Sequence, residues 1–265
     1  MKTRFQKSYL VSVISLAVTA VGLVTVIFAA EQKQARLTEV IHDVRLLGAQ
    51  AAAKPAAVND TVHQGTAVRT GTDSRAELTF MDQTLTRLGA NTVFSFGATA
   101  RTYDLGSGAV LVSAPKSAGT VKITTAVATC AVSGFTMILE RHANAWNKFI
   151  ILHGDGTLTL NGLPTDPCRL HTGQMVVFPP HPTHCPPVLN IDISKLLNGK
   201  FVKGFKGPLP ELNLILADIE NQQNTPPSGG LIDPTSQDVI DQSINGRPPQ
   251  SPPPHPTIRP PGTKF

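Results

Sequence analysis

Five side chains of the types that bind zinc occur within residues 168–185. They are Cys168, His171, His181, His184 and Cys185. Thiolate sulfur and imidazole nitrogen are preferred zinc ligands, and short spacings between them suit a tetrahedral site. A zinc-dependent hydrolase is therefore one function class that the sequence raises.

Three features oppose a metal site at these residues. Prolines at 179, 180, 182, 186 and 187 restrict the segment, and the apolar run "GQMVVF" separates the two halves of the set. In an oxidising compartment, Cys168 and Cys185 favour a disulfide over metal ligation. Such a loop closure contributes about 3 kcal/mol in the chain-entropy account. The disulfide, the metal site and unpaired surface residues all stay open at this point.

Other catalytic patterns are weaker. Ser113 and Lys116 match a Ser-x-x-Lys motif, whose chemistry requires the serine at the start of a helix. Here Pro115 intervenes and an apolar strand-like run precedes it. Asp155 in "HGDGT" is typical of a tight turn, and Cys130 of a small buried residue. We therefore predict no enzyme, and we assign no catalytic, cofactor-binding or metal-binding residue.

One charged residue falls where an apolar one is expected. Arg87 in "QTLTRLG" shares the strand phase of Leu85, which should face inward. Either a bulge near Gly89 turns the side chain outward, or Arg87 is buried and paired with an acid. We favour pairing, with Asp82 or Asp104 as the partner, in a structural role.

Composition narrows the possible partners. The 265 residues are 41% hydrophobic and 15% charged, with a net charge of +5. This is enough for one domain with appendages. The positive charges form no Lys/Arg run of the kind that contacts phosphates, so we predict no nucleic-acid partner.

Residues 1–30 have the pattern of a targeting segment. Lys2, Arg4 and Lys7 precede the uncharged residues 8–30. This stretch is either a cleaved signal peptide or a membrane anchor, and the sequence leaves the choice open. In both cases the chain from Glu31 onward is expected in the periplasm or cell envelope, with membrane contact only through this segment if it is uncleaved.

Residues 31–187 consist of short apolar runs separated by turn signals. The run "RAELTF" alternates like a half-buried strand, and "MDQT" follows it as a turn. We predict two strands with a bend near Gly134 in "GTVKITTAVATCAVSGFTMILE". We also predict a hairpin at Asp155-Gly156 in "NKFIILHGDGTLTLNG". The pattern favours a mainly β domain, a compact sandwich or jelly roll, with a short β-solenoid as the alternative.

The C-terminal part differs in composition. Residues 188–221 are predicted to form a small helical extension, with one helix in "NIDISKLLNGK" ended by Gly199 and another in "LPELNLILADIENQQ". The second helix would bury Leu212, Ile215, Leu216 and Ile219 against the β domain. Residues 222–265 hold 11 of the 22 prolines and are predicted to be a disordered tail.

The stretch "GTAVRTGTDSRAELTFMDQTLTRLGANTVFSF" resembles the core signature of FecR-like domains. The matching positions are Gly65, Val68-Arg69-Thr70-Gly71, Ser74-Arg75-Ala76, Leu78, Asp82, Thr84, Arg87-Leu88-Gly89 and Asn91-Thr92. Later runs continue the likeness in order, over about residues 35–180. Two positions depart from the family pattern: Gln83 replaces a usual glycine, and Phe135 replaces a usual threonine.

The resemblance implies a periplasmic, non-catalytic β domain. In the best-known members, this domain relays a signal from an outer-membrane transporter through one membrane helix to a cytoplasmic anti-sigma segment. Only about nine residues precede the apolar stretch, so we expect no anti-sigma domain here. We predict binding of an envelope protein or glycan, with exposed strand edges as natural sites. A membrane-anchored periplasmic sensor is the alternative.

Overall fold

Two β-sheets that share one long strand form the body of the protein. The computed structural model describes residues 34–97 and 101–245. Sheet A runs through β4 (Thr61–His63), β1 (Gln34–Ile41), β6 (Arg75–Phe80), β7 (Leu85–Leu88), β9 (Thr102–Ala114), β12 (Phe135–His142), β13 (Trp146–His153), β16 (Gln174–Phe178) and β17 (Leu189–Asn190). Sheet B runs through β3 (Lys54–Pro55), β2 (Val44–Leu47), β5 (Ala67–Thr70), β8 (Val93–Phe96), β9, β10 (Thr120–Thr124), β11 (Ala128–Ser133), β14 (Gly156–Leu160) and β15 (Leu163–Leu170).

The inner faces of the two sheets enclose the main core. Period-2 alternation in β6 sends Ala76, Leu78 and Phe80 into this core, because successive side chains of a strand point to opposite faces. The ring of Phe80 lies 5.0 Å from that of Phe96 and 5.1 Å from that of Tyr103, which joins the two layers. The prediction of a mainly β, sandwich-like domain is confirmed.

The shared strand β9 passes from one sheet to the other at Gly108. Its first half pairs with β8 and β10, and its second half with β7 and β12. Gly108 has a φ of 85°, and a Cβ there would overlap the hydroxyl and Cα of Thr92. Only glycine fits both the left-handed backbone and this close approach.

The predicted hairpin at Asp155-Gly156 is wrong. Strand β13 lies in sheet A between β12 and β16, whereas β14 lies in sheet B between β11 and β15. Gly154, with a φ of 93°, packs against the carbonyl of Gly134 and carries the chain across the sandwich. The chain does bend at this position, but the bend carries it from sheet A to sheet B and does not pair β13 with β14.

The bend predicted near Gly134 is confirmed as the matching crossing from β11 to β12. The segment around it contains three strands, β10, β11 and β12, where two were predicted. A short turn at residues 125–127, closed by the Thr125 hydroxyl, divides the first two of them.

Within the described residues, four α-helices follow the sheets. They are α1 (Ser194–Leu197), α2 (Lys200–Lys203), α3 (Leu212–Asn224) and α4 (Gln237–Ile244). Their apolar side chains cover the outer face of sheet A and build a second core with Leu111, Ile150 and Val177. The predicted helical extension packed on the β domain is therefore present. Leu216 is the exception among the predicted buried residues: it is 49% exposed, because it lies about 100° around α3 from Ile215.

The predicted disordered tail is wrong for residues 222–245. Helix α3 continues to Asn224, and α4 buries Val239 and Ile240 in the second core. Residues 246–265 and the predicted targeting segment lie outside the described residues. Within 34–97 and 101–245, no helix has both the length and the apolar character needed to cross a bilayer.

The β6–β7 hairpin turn carries the first testable prediction. Gln83, where the family usually has glycine, has a φ of 68°. We expect Gln83→Gly to raise the free energy of unfolding by up to about 1 kcal/mol, because glycine relieves the left-handed strain. Chemical denaturation measures the change. Gln83→Ala keeps the Cβ and should give no gain; an equal gain would assign the effect to the lost side chain.

Candidate functional site

The Cys/His set does not form a metal site. Cys168 and Cys185 are joined by a disulfide, with their Cα atoms 5.5 Å apart, so neither sulfur is a thiolate. His171 instead contacts Asp155, 2.6 Å between Nδ1 and Oδ1, on the exposed surface, and His184 contacts the neighbouring Thr183. No group of three metal-binding side chains occurs in the described ranges. The disulfide prediction is confirmed.

The Ser113–Lys116 pattern lacks nucleophile geometry. Ser113 is buried on β9, where its hydroxyl lies 2.9 Å from that of Thr136 on the neighbouring strand. Lys116 begins a single 3-10 turn after Pro115. Among the described residues, no lysine or histidine forms a hydrogen bond with the Ser113 hydroxyl, which instead links two neighbouring strands.

Cys130 is the free cysteine of the described residues, and it is buried. Burial raises the pKa of its thiol from 9.0 to about 12. Because the thiolate is the reactive form, this sulfur is inert in the folded protein. The prediction of a small buried residue is confirmed.

Two threonines of the signature, Thr70 and Thr92, form a buried polar network. The Thr70 hydroxyl donates to the Gly89 carbonyl at 2.6 Å and accepts from the Thr92 amide at 2.9 Å. The Thr92 hydroxyl in turn accepts from the Ala109 amide at 3.0 Å. Buried polar groups of this kind stabilise a fold only when they are fully paired. The hydroxyls of Thr70 and Thr92 therefore fix the loops between strands.

Arg87 is the largest fully buried side chain of the described residues. Its Nε donates to Glu77 Oε2 at 2.9 Å, its Nη1 donates to the Phe201 carbonyl at 2.7 Å, and its Nη2 donates to the Gly207 carbonyl. The guanidinium carbon lies 4.7 Å from the centre of the Phe205 ring. We call these five residues the Arg87 latch, since they attach the segment after α1 to sheet A.

The pairing predicted for Arg87 is thus confirmed, but both predicted partners are wrong. The partner is Glu77, directly opposite Arg87 in the β6–β7 hairpin. Asp82 instead lies 3.7 Å from Arg101, and Asp104 lies in sheet B opposite Ser95. Glu77 alternates with the apolar residues of "RAELTF", so the hairpin register contained the signal for this pair.

The outer face of sheet B contrasts with the covered face of sheet A. Its side chains are exposed or partly exposed and mostly carry hydroxyls. Two cross-strand rows run over it: Ser95, Asp104, Thr124, Thr129 and Thr159 in one, and Thr102, Lys122, Ala131, Thr157 and Arg169 in the other. We call this surface the open face.

A recess of about 430 Å³ lies at one end of the open face. It is lined by Asp43, Arg69, Thr70, Gly71, Thr72, Asn91 and Val93. We call it the Arg69 recess. Arg69 is exposed and stands directly opposite Arg45 in the β2–β5 pair. The sequence placed Arg69 in the signature but gave no sign that it borders a cavity, since Asp43 and Asn91 come from distant turns.

Comparison with known proteins finds a family match within the β-sheet region. Residues 66–155 match the protein family described as FecR protein. The predicted resemblance to FecR-like domains is therefore confirmed for this segment, and both the Arg87 latch and the Arg69 recess draw residues from it. No curated protein sequence matches the chain.

Two solved structures are similar in part. Both are crystal structures of a candidate anti-sigma factor from Parabacteroides distasonis ATCC 8503, at 15% identity. The 2.50 Å structure has a TM-score of 0.40, covering 50% of this chain and 64% of that one. The 1.65 Å structure has a TM-score of 0.41, covering 68% and 90%. This chain thus spans less than two thirds of the first structure.

Proposed function

We propose that this chain is a non-catalytic recognition module of cell-envelope signalling that binds a partner through the open face. The FecR match supports the signalling role. The observation that carries the proposal is the asymmetry of the sandwich. The outer face of sheet A is buried under the chain's own helices, whereas the open face is accessible.

The polar chemistry of the described residues fits recognition better than turnover. The two most buried charged groups, Arg87 and Lys148, each pair with a glutamate and donate to a main-chain carbonyl. The buried cysteine Cys130 is held as a thiol. Catalytic groups instead need pKa values and geometries matched to a reacting atom.

Strand addition at an edge, which the sequence suggested, has little support. The edge strands β3, β4 and β17 have two or three residues each, and the remaining edge strand, β15, contains two prolines in "LPTDPCRL". Short edges and prolines hinder pairing with another strand. The partner therefore binds a sheet face in this proposal.

We also propose export to the envelope. The Cys168–Cys185 disulfide supports it, since such bonds persist mainly in oxidising compartments. Alkylation of intact cells followed by non-reducing electrophoresis tests this point. An oxidised pair supports export, and a fully reduced pair in the native host contradicts it.

Site-specific crosslinking tests the proposed function. A photoreactive residue is placed at Ala131 or Thr157 on the open face, and at Glu220 on the exposed side of α3 as a control. In cells that express the full chain, we expect one discrete adduct from the first two positions and none from the third. Equal adducts from all three positions, or none at the open face, contradict the proposal.

A further inference from the structure

We propose that the Arg69 recess binds a carboxylate of an acidic segment on the protein partner. This inference rests on the proposed function and names the chemistry that the open face recognises. It is carried by the charge arrangement around Arg69 and by the shape of the recess.

Two arginines face each other across β2 and β5. Arg45 and Arg69 are directly opposite in the antiparallel register, on the outer side of sheet B. Like charges in this position destabilise a sheet. Asp43 accepts from Arg45 Nε at 2.9 Å and so compensates one of them. The second guanidinium, that of Arg69, has no hydrogen bond or ion pair with any side chain in the described ranges, so a carboxylate from outside completes the arrangement.

The other charged side chains of the open face are also mainly positive. Lys122 and Arg169 lie in one cross-strand row and are exposed, against the single exposed carboxylate of Asp104 in the other row. Complementary charge steers the encounter of partners and fixes their register. An acidic segment crossing the sheet from β5 toward β15 therefore meets positive charge at both ends.

The walls of the recess favour a peptide over a lipid surface. Thr72 and Asn91 offer a hydroxyl and an amide, whereas Asp43 places a carboxylate in the same wall. The phosphates of a lipid surface offer acceptors to Arg69 but no hydrogen-bond donor to Asp43. A peptide supplies both a carboxylate for Arg69, which binds it in a bidentate manner, and backbone N–H donors for Asp43. The occupant we infer is thus an acidic protein segment.

The test measures binding of a fluorescent (Glu-Gly)₅ peptide to the full chain in mild detergent by anisotropy. Arg69→Glu and Lys203→Glu change the net charge equally, but Lys203 lies on α2, away from the open face. We expect Arg69→Glu to weaken binding about tenfold or more and Lys203→Glu less than about twofold, with affinity falling as salt is added. Arg69→Gln, which removes the charge only, should fall between.

Each other outcome overturns the inference. Equal loss in both charge variants means that net charge alone binds the peptide. If Arg69→Glu weakens binding to phosphatidylglycerol vesicles but not to the peptide, the recess serves a membrane surface. If Arg69→Glu leaves the peptide affinity unchanged while the Ala131 crosslink persists, this inference fails and the proposed function stands. The proposed function fails instead if, in the chain without charge substitutions, crosslinking at Ala131 and Thr157 does not differ from crosslinking at Glu220.

Discussion

Arg87→Ala is expected to lower the free energy of unfolding by about 3–5 kcal/mol, because it leaves a buried carboxylate without its counter-charge. The side chain of Glu77 is only 10% exposed, and Arg87 Nε is its ion-pair partner. Thr38 still donates to Glu77 Oε1 at 2.7 Å, but a hydroxyl cannot replace the charge. Two carbonyls, of Phe201 and Gly207, lose their donor as well. A melting temperature lower by roughly 10 °C should accompany the change.

The matched control for this prediction is Arg45→Ala. Arg45 likewise pairs with a carboxylate, that of Asp43, at 2.9 Å from Nε to Oδ1. The side chains of Arg45 and Asp43 are, however, 42% and 53% exposed. Exposed ion pairs contribute about 0–1 kcal/mol, so this variant should stay close to the parent in chemical denaturation. Equal losses in the two variants would show that burial of the Arg87 latch has no special effect.

A local measurement separates loss of the latch from general weakening. The segment after α1 carries Lys200, Lys203 and Lys206, all exposed. In Arg87→Ala, a lysine-specific protease should cut this segment under conditions where the sheets remain folded, since the anchoring hydrogen bonds are gone. Cleavage first elsewhere would mean that the latch does not hold this segment.

Local patterns in the sequence predict much of this fold. Alternation in "RAELTF" and "NTVFSF" gives β6 and β8, and helical spacing around Ile215 and Ile219 gives α3. In these segments the buried face is set by residues a few positions apart, so local patterning and tertiary packing agree. The signature motif also indicates the family, because its turn residues occur at fixed spacing.

Contacts between segments that are distant in the chain could not be predicted from the sequence. Arg87 is 114 residues from Phe201 and 120 from Gly207, and main-chain acceptors leave no residue-type signal. The pair with Glu77 is different: it follows from a hairpin that closes at "MDQT", since the register then places the two residues opposite each other. The Arg69 recess could not be predicted either, because the turns that carry Asp43 and Asn91 come together only in the folded protein.

Local sequence patterns also do not predict which of the two sheets a strand joins. Strands β13 and β14 have the composition and the turn of a hairpin, yet they belong to different layers. Their alternation predicts which side chains are buried but not which sheet supplies the neighbour, because both inner faces bury residues in one core. The φ of Gly154 and its contact with Gly134 decide the direction of the turn.

Gly108→Ala is expected to be the second severe change, with a loss of about 2–5 kcal/mol in the free energy of unfolding. A φ of 85° costs a residue with a Cβ about 1–2 kcal/mol. Overpacking in a closed site adds about 1–3 kcal/mol. The new Cβ meets Thr92, which cannot move freely because its hydroxyl pairs with the Ala109 amide and lies 3.1 Å from the Ala109 carbonyl.

Gly106→Ala on the same strand is the control for Gly108→Ala. The backbone of Gly106 lies outside the left-handed region, and a Cβ there would lie 3.4 Å from Val93, an ordinary contact. Denaturation of both variants should therefore show little change for Gly106→Ala and the full loss for Gly108→Ala. If both lose stability equally, β9 is sensitive to any added side chain. If neither does, the crossing of β9 between the two sheets does not depend on glycine, and the shared-strand architecture is held elsewhere.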